Sequence, residues 1–402
     1  MAVQVTAPPA PGQITRGRAV VAVVALAVAL FGYGTVQSLP VGLLPQIAHG
    51  LGVSLSSAGL LVTGYGLVVT VTAVPLTQAT RHIPRRSLLT VLLGLFTAAT
   101  LLCALAPRYA VLLAGQTLVA LTHAVFLSVI AVTAAGMFPE SVRAKVVGAL
   151  FIGTSLAGVV GVPAGTWLGQ QAGWRVPFLV LSGLGLVAGA VVAILLPAGP
   201  AVQNPASTAP HPSRARFTLL MAVTVLVVAG VFALYTYVTV FLTRVAGLSS
   251  HTVSAVLLLS GLAGLAGTGL AGALSDRRPR AAMTGAVALL TAALAILAAL
   301  GTHRTAVVTA VALLGLSLSA VITALQNRIM QIAPGSVDVA SATGSAAFNA
   351  GIAAGSFLGG RLLEAHGPRS VALTGAVLTA VGLALLLAER PAASGRASSP
   401  SG

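Results

Sequence analysis

Few side chains in this chain could carry chemistry, and most of those are uncharged. The 402 residues include only five acids, each near the end of an apolar run: Glu140, Asp276, Asp338, Glu364 and Glu389. His123 lies well inside such a run and shares a helix face with Gln116, seven positions earlier. A proton that crosses an apolar layer needs a titratable carrier, and by elimination we predict His123 for that role. The alternative is a neutral histidine hydrogen-bonded between helices.

A second group consists of uncharged polar side chains inside apolar runs. Polar groups are costly in lipid, so we expect these to line a central cavity or to bond neighbouring helices. We predict that five of them, Gln37, Gln116, His123, Gln326 and Asn349, face one common cavity. The full candidate set is Tyr33, Gln37, Gln116, His123, Tyr235, Tyr237, Gln326, Asn327, Ser345 and Asn349.

Small residues mark a possible gating helix at 153–169. Gly161 and Gly165 lie four positions apart, on one helix face, and permit close contact with another helix. Pro163 between them removes one backbone hydrogen bond and bends a helix. A bent, closely packed helix serves a gate, and it also serves ordinary packing.

A charged loop, GALSDRRPR at 272–280, is the second gating candidate. Asp276 is one of the five acids and is followed by Arg277, Arg278 and Arg280. A carboxylate beside arginines can latch a loop or interact with a helix N-terminus. The alternative is a solvated turn, so the predicted gating roles of Asp276, Arg277 and Arg280 need a structural test.

The elements that must position these residues are membrane helices. Hydrophobic residues make up 57% of the chain and charged residues 6%, whereas a soluble domain carries roughly 25% charged residues. Runs of about 20 apolar residues suit helices rather than barrel strands. We predict twelve spans: 19–44, 54–78, 87–106, 109–136, 143–169, 175–196, 217–243, 250–274, 281–300, 304–332, 341–361 and 369–388. The first run is too long for a cleavable signal peptide.

The basic residues predict the topology. One side of the membrane receives Arg16, Arg18, Arg81, Arg85, Arg86, Arg143, Lys145, Arg214, Arg216, Arg277, Arg278, Arg280, Arg390 and Arg396. The other side receives Arg108, Arg175, Arg244, Arg304, Arg361 and Arg369. The richer side is therefore predicted to be cytoplasmic, together with both termini. This distribution accounts for the net charge of +16 and argues against nucleic-acid binding.

The chain divides into two similar halves. A Pro- and Ser-rich stretch at 197–216 predicts a flexible cytoplasmic linker. It separates a six-helix bundle at 19–196 from another at 217–388, with flexible cytoplasmic ends at 1–18 and 389–402. GVPAGTWLG at 161–169 matches GIAAGSFLG at 351–359, always 190 positions apart. Matching spans have the same orientation, so the repeat is parallel.

Several stretches together are specific for one family. They are GLLPQIAHGLGVSLSSAGLLVTGYGL (42–67), LLCALAP (101–107), GVPAGTWLGQQAGWR (161–175), YTYVTVFLTRVAGLS (235–249), GALSDRR (272–278), LQNRIMQIAP (325–334) and SAAFNAGIAAGSFLGG (345–360). With these the chain resembles the twelve-span drug:proton antiporter family of the major facilitator superfamily, particularly its arabinose-efflux-permease-like and chloramphenicol-efflux-like bacterial members. The resemblance implies the major facilitator fold, efflux of small molecules by alternating access, and usually proton antiport.

The chain departs from that family at its intramembrane charges. Gln37 stands where members commonly carry a glutamate, and Gln116 stands where they commonly carry an arginine. The first-half copy of the charged loop motif, ATRHIPRR, has no acid. If the two charges once formed a pair, replacing both avoids leaving one buried and unpaired. The departures bear directly on proton coupling.

We therefore predict a bacterial plasma-membrane exporter of a small organic molecule, such as a drug, sugar or metabolite, driven by proton antiport. The alternatives are an uncoupled facilitator of the same fold or, from another class, an intramembrane enzyme or a receptor. We expect no cofactor, no metal and no catalytic set, because no paired acids or activated nucleophile stand out. We also expect a monomer in the bilayer. Since no buried charge is evident, we expect a substrate without strong charge.

Overall fold

The helices are seen in a computed structural model that describes residues 15–80, 82–197, 209–210, 212–335 and 337–389. Within these ranges the side chains at positions 74, 140, 141, 144, 250, 251, 276, 337 and 338 fall outside the description. The predicted linker at 197–216 and the two predicted tails therefore lie largely outside it, and so does the side chain of Asp276.

The described ranges are almost wholly helical. The α-helices are α1 Arg16–Leu51, α2 Leu55–Thr80, α3 Arg85–Ala104, α4 Tyr109–Gly136, α5 Glu140–Leu156, α6 Val162–Ala172, α7 Val176–Leu195, α8 Arg214–Tyr235, α9 Val238–Arg244, α10 Ser250–Arg277, α11 Pro279–Leu300, α12 Arg304–Ile332, α13 Val337–His366 and α14 Pro368–Ala388. A π-helical turn, Ala157–Gly161, joins α5 to α6 as one rod. A short break after Tyr235 separates α8 from α9.

These helices form twelve crossing segments, at the positions that the apolar runs predict to within a few residues. Eleven of them, within the described residues, are long and apolar enough to span a membrane. The remaining segment is α13, whose 30 residues include many Gly, Ser and Ala and are less apolar. It packs between α8 and α2 rather than mainly against lipid, so a lower apolar content suffices.

The segments run antiparallel and define two ends of the molecule. We call the end at which α1 starts and α14 finishes the terminal face, and the opposite end the distal face. α1 to α7 form the first half, and α8 to α14 form the second. Equivalent helices pack alike: α1 with α7 as α8 with α14, α2 with α4 as α10 with α12, and α3 with α7 as α11 with α14. The two predicted bundles of six spans are therefore present.

The repeat extends from the glycines to their partners. A methyl group on Gly165 would meet Leu39 of α1, and one on Gly355 would meet Ala229 of α8. Both the glycines and the partners are 190 positions apart. The same shift of 190 positions relates the contact of Gly161 with Thr35 to that of Gly351 with Val225. It also relates the contact of Gly169 with Leu43 to that of Gly359 with Ala233. A glycine face is thus the contact between the first and fifth spans of each half.

The π turn lies directly before Pro163. A proline has no N–H to donate and its ring crowds the preceding helical turn, so the regular hydrogen-bond ladder is interrupted there. A π turn absorbs such an interruption within a helix. The bend that Pro163 predicts therefore takes the form of a widened turn, and α6 continues the rod to Ala172.

The single cysteine lies deep between α3 and α4. Cys103 is fully buried, and its sulfur lies 3.9 Å from the carbonyl oxygen of Leu112. Gly115 packs against the same sulfur, which leaves no room for a larger side chain at that position. Cys103 is therefore a core residue that fills the space where α3 meets α4.

Candidate functional site

The two halves meet along a hydrogen-bonded seam that begins at the distal face. Glu364, near the end of α13, accepts hydrogen bonds from the hydroxyls of Ser54, at 3.1 Å, and Ser56 at the start of α2. These two bonds favour the charged carboxylate, Ser56 most, and lower the pKa of Glu364 below its ordinary value. Glu364 is the acid whose contacts join the halves among the described side chains.

The same seam continues along α2 and α13 into the membrane. The hydroxyls of Thr63 and Ser356 lie 2.8 Å apart, and Thr70 donates to the carbonyl of Ala346 at 3.3 Å. Thr70 lies fifteen residues into α2, roughly 22 Å from its distal start at 1.5 Å per residue. The α2–α13 contact therefore reaches past the middle of the helix.

Tyr237 fills the seam near its distal end. Its hydroxyl donates to the carbonyl of Ser356 at 3.0 Å, within the second half. The same hydroxyl packs against Gly59 of α2, where a methyl group would overlap it. Gly59 and Gly360 leave the space that this large side chain occupies between α2 and α13.

A second seam joins α6 and the π turn to α10. Ser254 donates to the Gln170 side-chain oxygen at 3.1 Å, and Gly261 packs against the backbone of Val159 in the π turn. A third contact joins α9 to α1, where Thr239 donates to the carbonyl of Val41 at 2.8 Å. Together these contacts close the distal face between the halves.

His123 belongs to an aromatic cluster inside the first half. Its ring stacks on Tyr33, with centroids 4.8 Å apart and planes 9° apart, and its Nδ1 lies 2.7 Å from the Tyr65 hydroxyl. Phe96 and Phe126 pack on the other sides of Tyr33. Of these five residues, Tyr65 belongs to α2, the helix of the first seam. His123 is thus one hydrogen bond away from an element that contacts the second half.

Two buried amides have unused hydrogen-bonding groups. Gln116 is 1% exposed, and neither its Oε1 nor its Nε2 has a partner among the described residues. Asn349 donates to the carbonyl of Ser345 at 3.0 Å, while its own Oδ1 is unpartnered there. Gly66 of α2 packs on the backbone of Asn349, so this amide lies at the first seam. Unsatisfied buried amides are costly and are expected to bond water or a ligand.

The other predicted cavity residues are distributed more widely. Gln37, Tyr235, Asn327 and Ser345 are half-buried, whereas Gln326 is exposed. The ring of Tyr235 contacts Phe232 of the same helix at 5.6 Å. The structure therefore brings Asn349 and Tyr237 to the seam and Tyr33 and His123 into the first half. A common cavity for Gln37, Gln116, His123, Gln326 and Asn349 stays a prediction.

The predicted gating residues fall into three situations. Gly161 and Gly165 face α1 within the first half, while the adjoining π turn contacts α10 of the second. Arg280 donates to the backbone carbonyl of Glu389, and Arg277 is exposed at the end of α10. Arg86 makes the matching bond in the first half, to the carbonyl of Ala193 at 2.8 Å. Arg280 therefore caps the last helix of its own half.

A buried ion pair corrects the expectation that buried charge is absent. Arg328 is not among the basic residues assigned to either side of the membrane in the predicted topology. It is 4% exposed and lies near the terminal end of α12. Its guanidinium donates to both carboxylate oxygens of Glu389, at 2.7 and 2.9 Å, and Arg216 lies 3.9 Å from one of them. Glu389, predicted as part of a flexible tail, is thus held between helices. The arginine within the apolar run LQNRIMQIAP was the available signal.

The described residues contain no cluster of three or more His, Cys, Asp or Glu that could hold a metal ion. The site is therefore built from hydroxyls, amides and aromatic rings placed on paired helices. With two like halves, a closed seam at one face and spans throughout, the protein has the architecture of a multi-pass membrane transporter.

Comparison with known proteins defines the family. The model of the Major Facilitator Superfamily matches residues 26–354, so the chain belongs to this superfamily. It is 35% identical over 366 residues to the inner membrane transport protein YdhP of Escherichia coli (strain K12), covering 90% of this chain and 94% of that one. It is 36% identical over 350 residues to a chloramphenicol efflux pump of Mycobacterium tuberculosis, covering 84% and 85%.

Solved structures agree on the fold. A bacterial homolog to the human lysosomal transporter Spinster, in an inward-facing and occupied conformation, superposes with a TM-score of 0.71 at 16% identity, covering 91% of this chain and 95% of that one. The relatives named above are transport proteins, and the chain is a transporter rather than an enzyme. Its partners are a small-molecule substrate and the lipid bilayer.

Proposed function

We propose that the protein exports a small, weakly polar organic molecule across the bacterial plasma membrane by alternating access. The observation that carries the proposal is the seam between the halves, which closes one face of a two-part membrane bundle. The substrate class follows from the lining available, because hydroxyls, amides and rings dominate the described inter-half contacts. The relative in Mycobacterium tuberculosis is named for efflux of chloramphenicol, a molecule of that kind.

The orientation that supports export places the terminal face in the cytoplasm. Most Lys and Arg residues lie at that face, as the positive-inside rule requires for a cytoplasmic side. Both termini are then cytoplasmic, and the distal seam closes the outer side. In this state substrate would enter from the cytoplasm, and opening of the Glu364 and Tyr237 contacts would release it outside. We expect the monomer to suffice, because each half finds its partner within the chain.

Energy coupling is the finer part of the proposal. We propose proton antiport with His123 as the carrier, because its contact with Tyr65 links it to α2 and hence to the seam. Movement of α2 when the seam opens would change the hydrogen bond at Nδ1. The second candidate is an uncoupled facilitator. It is favoured by one observation: no acid among the described side chains lies near His123 to stabilise a proton on it.

Transport into everted vesicles tests both candidates. Cells expressing the full chain supply the vesicles, with chloramphenicol and a simple sugar as probes, and uptake is measured with and without an imposed proton gradient. Antiport predicts that a probe is concentrated only when the vesicle interior is acidified. A facilitator predicts equilibration and counterflow without concentration. If neither probe moves faster than in vesicles lacking the protein, export of this substrate class is wrong.

Variants of the aromatic cluster test the carrier. His123→Gln should abolish proton-driven concentration while leaving counterflow intact, because glutamine does not titrate. Tyr65→Phe keeps the ring but removes the hydrogen bond to His123, so it should weaken the proton-driven mode selectively. Ser128→Ala is the matched control, since the hydroxyl of Ser128 donates within α4, to the carbonyl of Val125 at 2.7 Å. Concentrating uptake by His123→Gln would exclude His123 as the carrier.

A further inference from the structure

A basic cavity, open to the surface, lies on the distal face of the second half, and its residue His366 follows the seam residue Glu364 by two positions in α13. Its volume is about 360 Å³, and it is lined by Arg244, Val245, Thr302, His366, Pro368 and Arg369. Four separate segments contribute: the end of α9, the turn before α12, the end of α13 and the start of α14. The cavity is therefore formed by the fold rather than by one loop.

The positive charge of this cavity has no partner in the described part of the chain. The described ion pairs all involve Glu389, at the terminal face, and none involves Arg244 or Arg369. Arg304, beside the cavity, donates to the carbonyl of Gly247 at 3.2 Å and adds a third positive charge. Like charges that line one pocket repel one another, so a bound anion would stabilise this corner.

The acids of the chain are placed elsewhere. Three acids lie in the helix turns at the terminal face: Glu140 in α5, Asp276 in α10 and Asp338 in α13. Glu389 follows the end of α14 at the same face. Glu364 is the acid at the distal face, and its carboxylate accepts hydrogen bonds from Ser54 and Ser56 across the seam. Among the described side chains, no carboxylate forms an ion pair with Arg244 or Arg369.

The start of α14 adds backbone donors to the same cavity. Pro368 is its first residue, Gly367 before it has a φ of 78°, and no side chain caps the helix. The first N–H groups of a 21-residue helix are then available, and they carry a partial positive charge. Arginine side chains beside a free helix N-terminus match the donors that bind phosphate oxygens.

At the matching turn of the first half, the arginine bonds to residues of its own half. Arg175, at the turn before α7, donates to the carbonyl of Ala106 at 2.9 Å and stacks over Trp174 at 4.3 Å. This arginine is held by contacts within its own half, whereas no side-chain hydrogen bond or ion pair of Arg244 or Arg369 is seen among the described residues.

We propose that this cavity, which we call the distal basic site, binds a phosphate ester at the outer surface of the membrane. Arg244 and Arg369 bind the phosphate oxygens, the N-terminus of α14 supplies N–H donors, and Thr302 and His366 bond the ester's polar groups. The helix ends that form it lie at the level of lipid headgroups. The phosphate can come from an anionic phospholipid or from a soluble phosphate ester. Its placement at the outer surface rests on the orientation proposed above, whereas binding of the phosphate ester by the purified protein does not.

Native mass spectrometry of the purified full chain tests the site. Phosphatidylglycerol, phosphatidylcholine and glycerol 3-phosphate are titrated separately, and dissociation constants are compared with those of Arg244→Gln/Arg369→Gln. We expect saturable binding of one phosphate ester to the wild type and at least about tenfold weaker binding to the double variant. Binding of phosphatidylglycerol alone assigns the site to lipid, whereas equal binding of glycerol 3-phosphate assigns it to a soluble ester.

The control is Arg108→Gln, which removes one positive charge from the same face in the first half and is compared with each of the single variants Arg244→Gln and Arg369→Gln. It should bind as the wild type does. The proposal is overturned if no anionic probe binds saturably, if the double variant binds as tightly as the wild type, or if Arg108→Gln loses as much affinity. Gel filtration checks that each variant is folded. If the double variant aggregates, the comparison uses Arg244→Lys and Arg369→Lys, which keep the charge but lose the two-pronged contact.

Discussion

The two halves use the same glycine contacts but differ in what the glycines touch. In the first half, Gly165 meets the end of the Leu39 side chain, at 2.6 Å from an added methyl group. In the second half, Gly355 meets the backbone of Ala229 itself, with the Cα at 2.8 Å. Side-chain ends can move aside, whereas a helix backbone moves only with the whole helix. At this pair of positions the α8–α13 contact is therefore the more rigid of the two.

This difference matters because α13 also forms the seam with α2. A rigid α8–α13 pair moves as one body and transmits its position to α2 through Ser356 and Glu364. In the first-half rod, the π turn contacts α10, and Gly161, Gly165 and Gly169 meet side chains of α1. The second half thus supplies a stiff surface to the interface and the first half a more adjustable one. The following predictions test that comparison.

The largest effect is expected at the Arg328–Glu389 ion pair of the second half. Glu389→Ala leaves Arg328 buried without a partner, which costs about 3–5 kcal/mol of unfolding free energy. Unfolding in mixed detergent micelles measures the loss. The double variant Arg328→Met/Glu389→Ala should recover most of it, because no unpaired charge remains. A loss below about 1 kcal/mol in Glu389→Ala would mean that water reaches the Arg328 guanidinium and replaces the carboxylate, and that the pair does not stiffen the second half.

The glycine pair gives the direct test. Gly355→Ala forces a methyl group against the α8 backbone and should cost about 1–3 kcal/mol, the usual range for overpacking. Gly165→Ala is the matched control and should cost less, because Leu39 can change its rotamer. Both are measured by the same unfolding assay. Equal losses at the two positions would contradict the difference in rigidity between the halves.

Gln116 is expected to change stability in the opposite direction. Gln116→Leu removes an amide that has no partner among the described residues, so the unfolding free energy should rise by about 1 kcal/mol. Gln326→Leu, at an exposed position, is the control and should change little. Vesicle transport by Gln116→Leu then sharpens the result. Loss of transport with a gain in stability indicates that the amide binds substrate, whereas unchanged transport assigns it to packing.

The smallest effect on stability is expected at the seam. Glu364→Gln weakens the bonds from Ser54 and Ser56, so hydrogen exchange in 55–63 and 358–366 should quicken a few-fold while the bundle stays folded. Ser57→Ala is the control, since the Ser57 hydroxyl bonds Ser54 at 3.0 Å and does not reach the carboxylate. If hydrogen exchange is as slow in Glu364→Gln as in the wild type, Glu364 does not hold the seam closed.

The pH dependence of that seam follows from the lowered pKa of Glu364. A carboxyl group whose pKa is lowered by the closed seam stabilises it fully above the ordinary glutamate value of about 4.3. The stabilisation is lost as pH falls through the lowered pKa. Between pH 5 and 8, seam exchange corrected for intrinsic rates should therefore be constant in the wild type. A change near pH 6.5 would instead point to a histidine.

Sequence alone predicts the helices of this fold well, because apolar length determines which segments cross a membrane. Two predicted spans, 109–136 and 304–332, coincide with α4 and α12. The 190-residue register also predicts the α1–α6 and α8–α13 contacts. The composition of α13 is the informative exception: its small and polar residues, which weaken its apolar signal, are those that let it pack between α8 and α2.

The site is less predictable, because polarity within a span does not say which neighbour a side chain meets. His123 and Asn349 are both polar residues in apolar runs, but one lies inside the first half and the other at the seam. Glu364 and Glu389 both follow apolar runs, and only the packing of helix ends decides that one latches the halves and the other pairs with Arg328. Such contacts depend on residues some 60 to 310 positions apart.

The burial of Cys103 has a practical consequence for labelling. Its thiol is enclosed between α3 and α4, so water-soluble thiol reagents will not reach it in the folded protein. A cysteine introduced at an exposed site, such as position 108 or 369, would then be the single reactive thiol in an otherwise native chain. One fluorophore or spin label can be attached to each half without first replacing any natural residue.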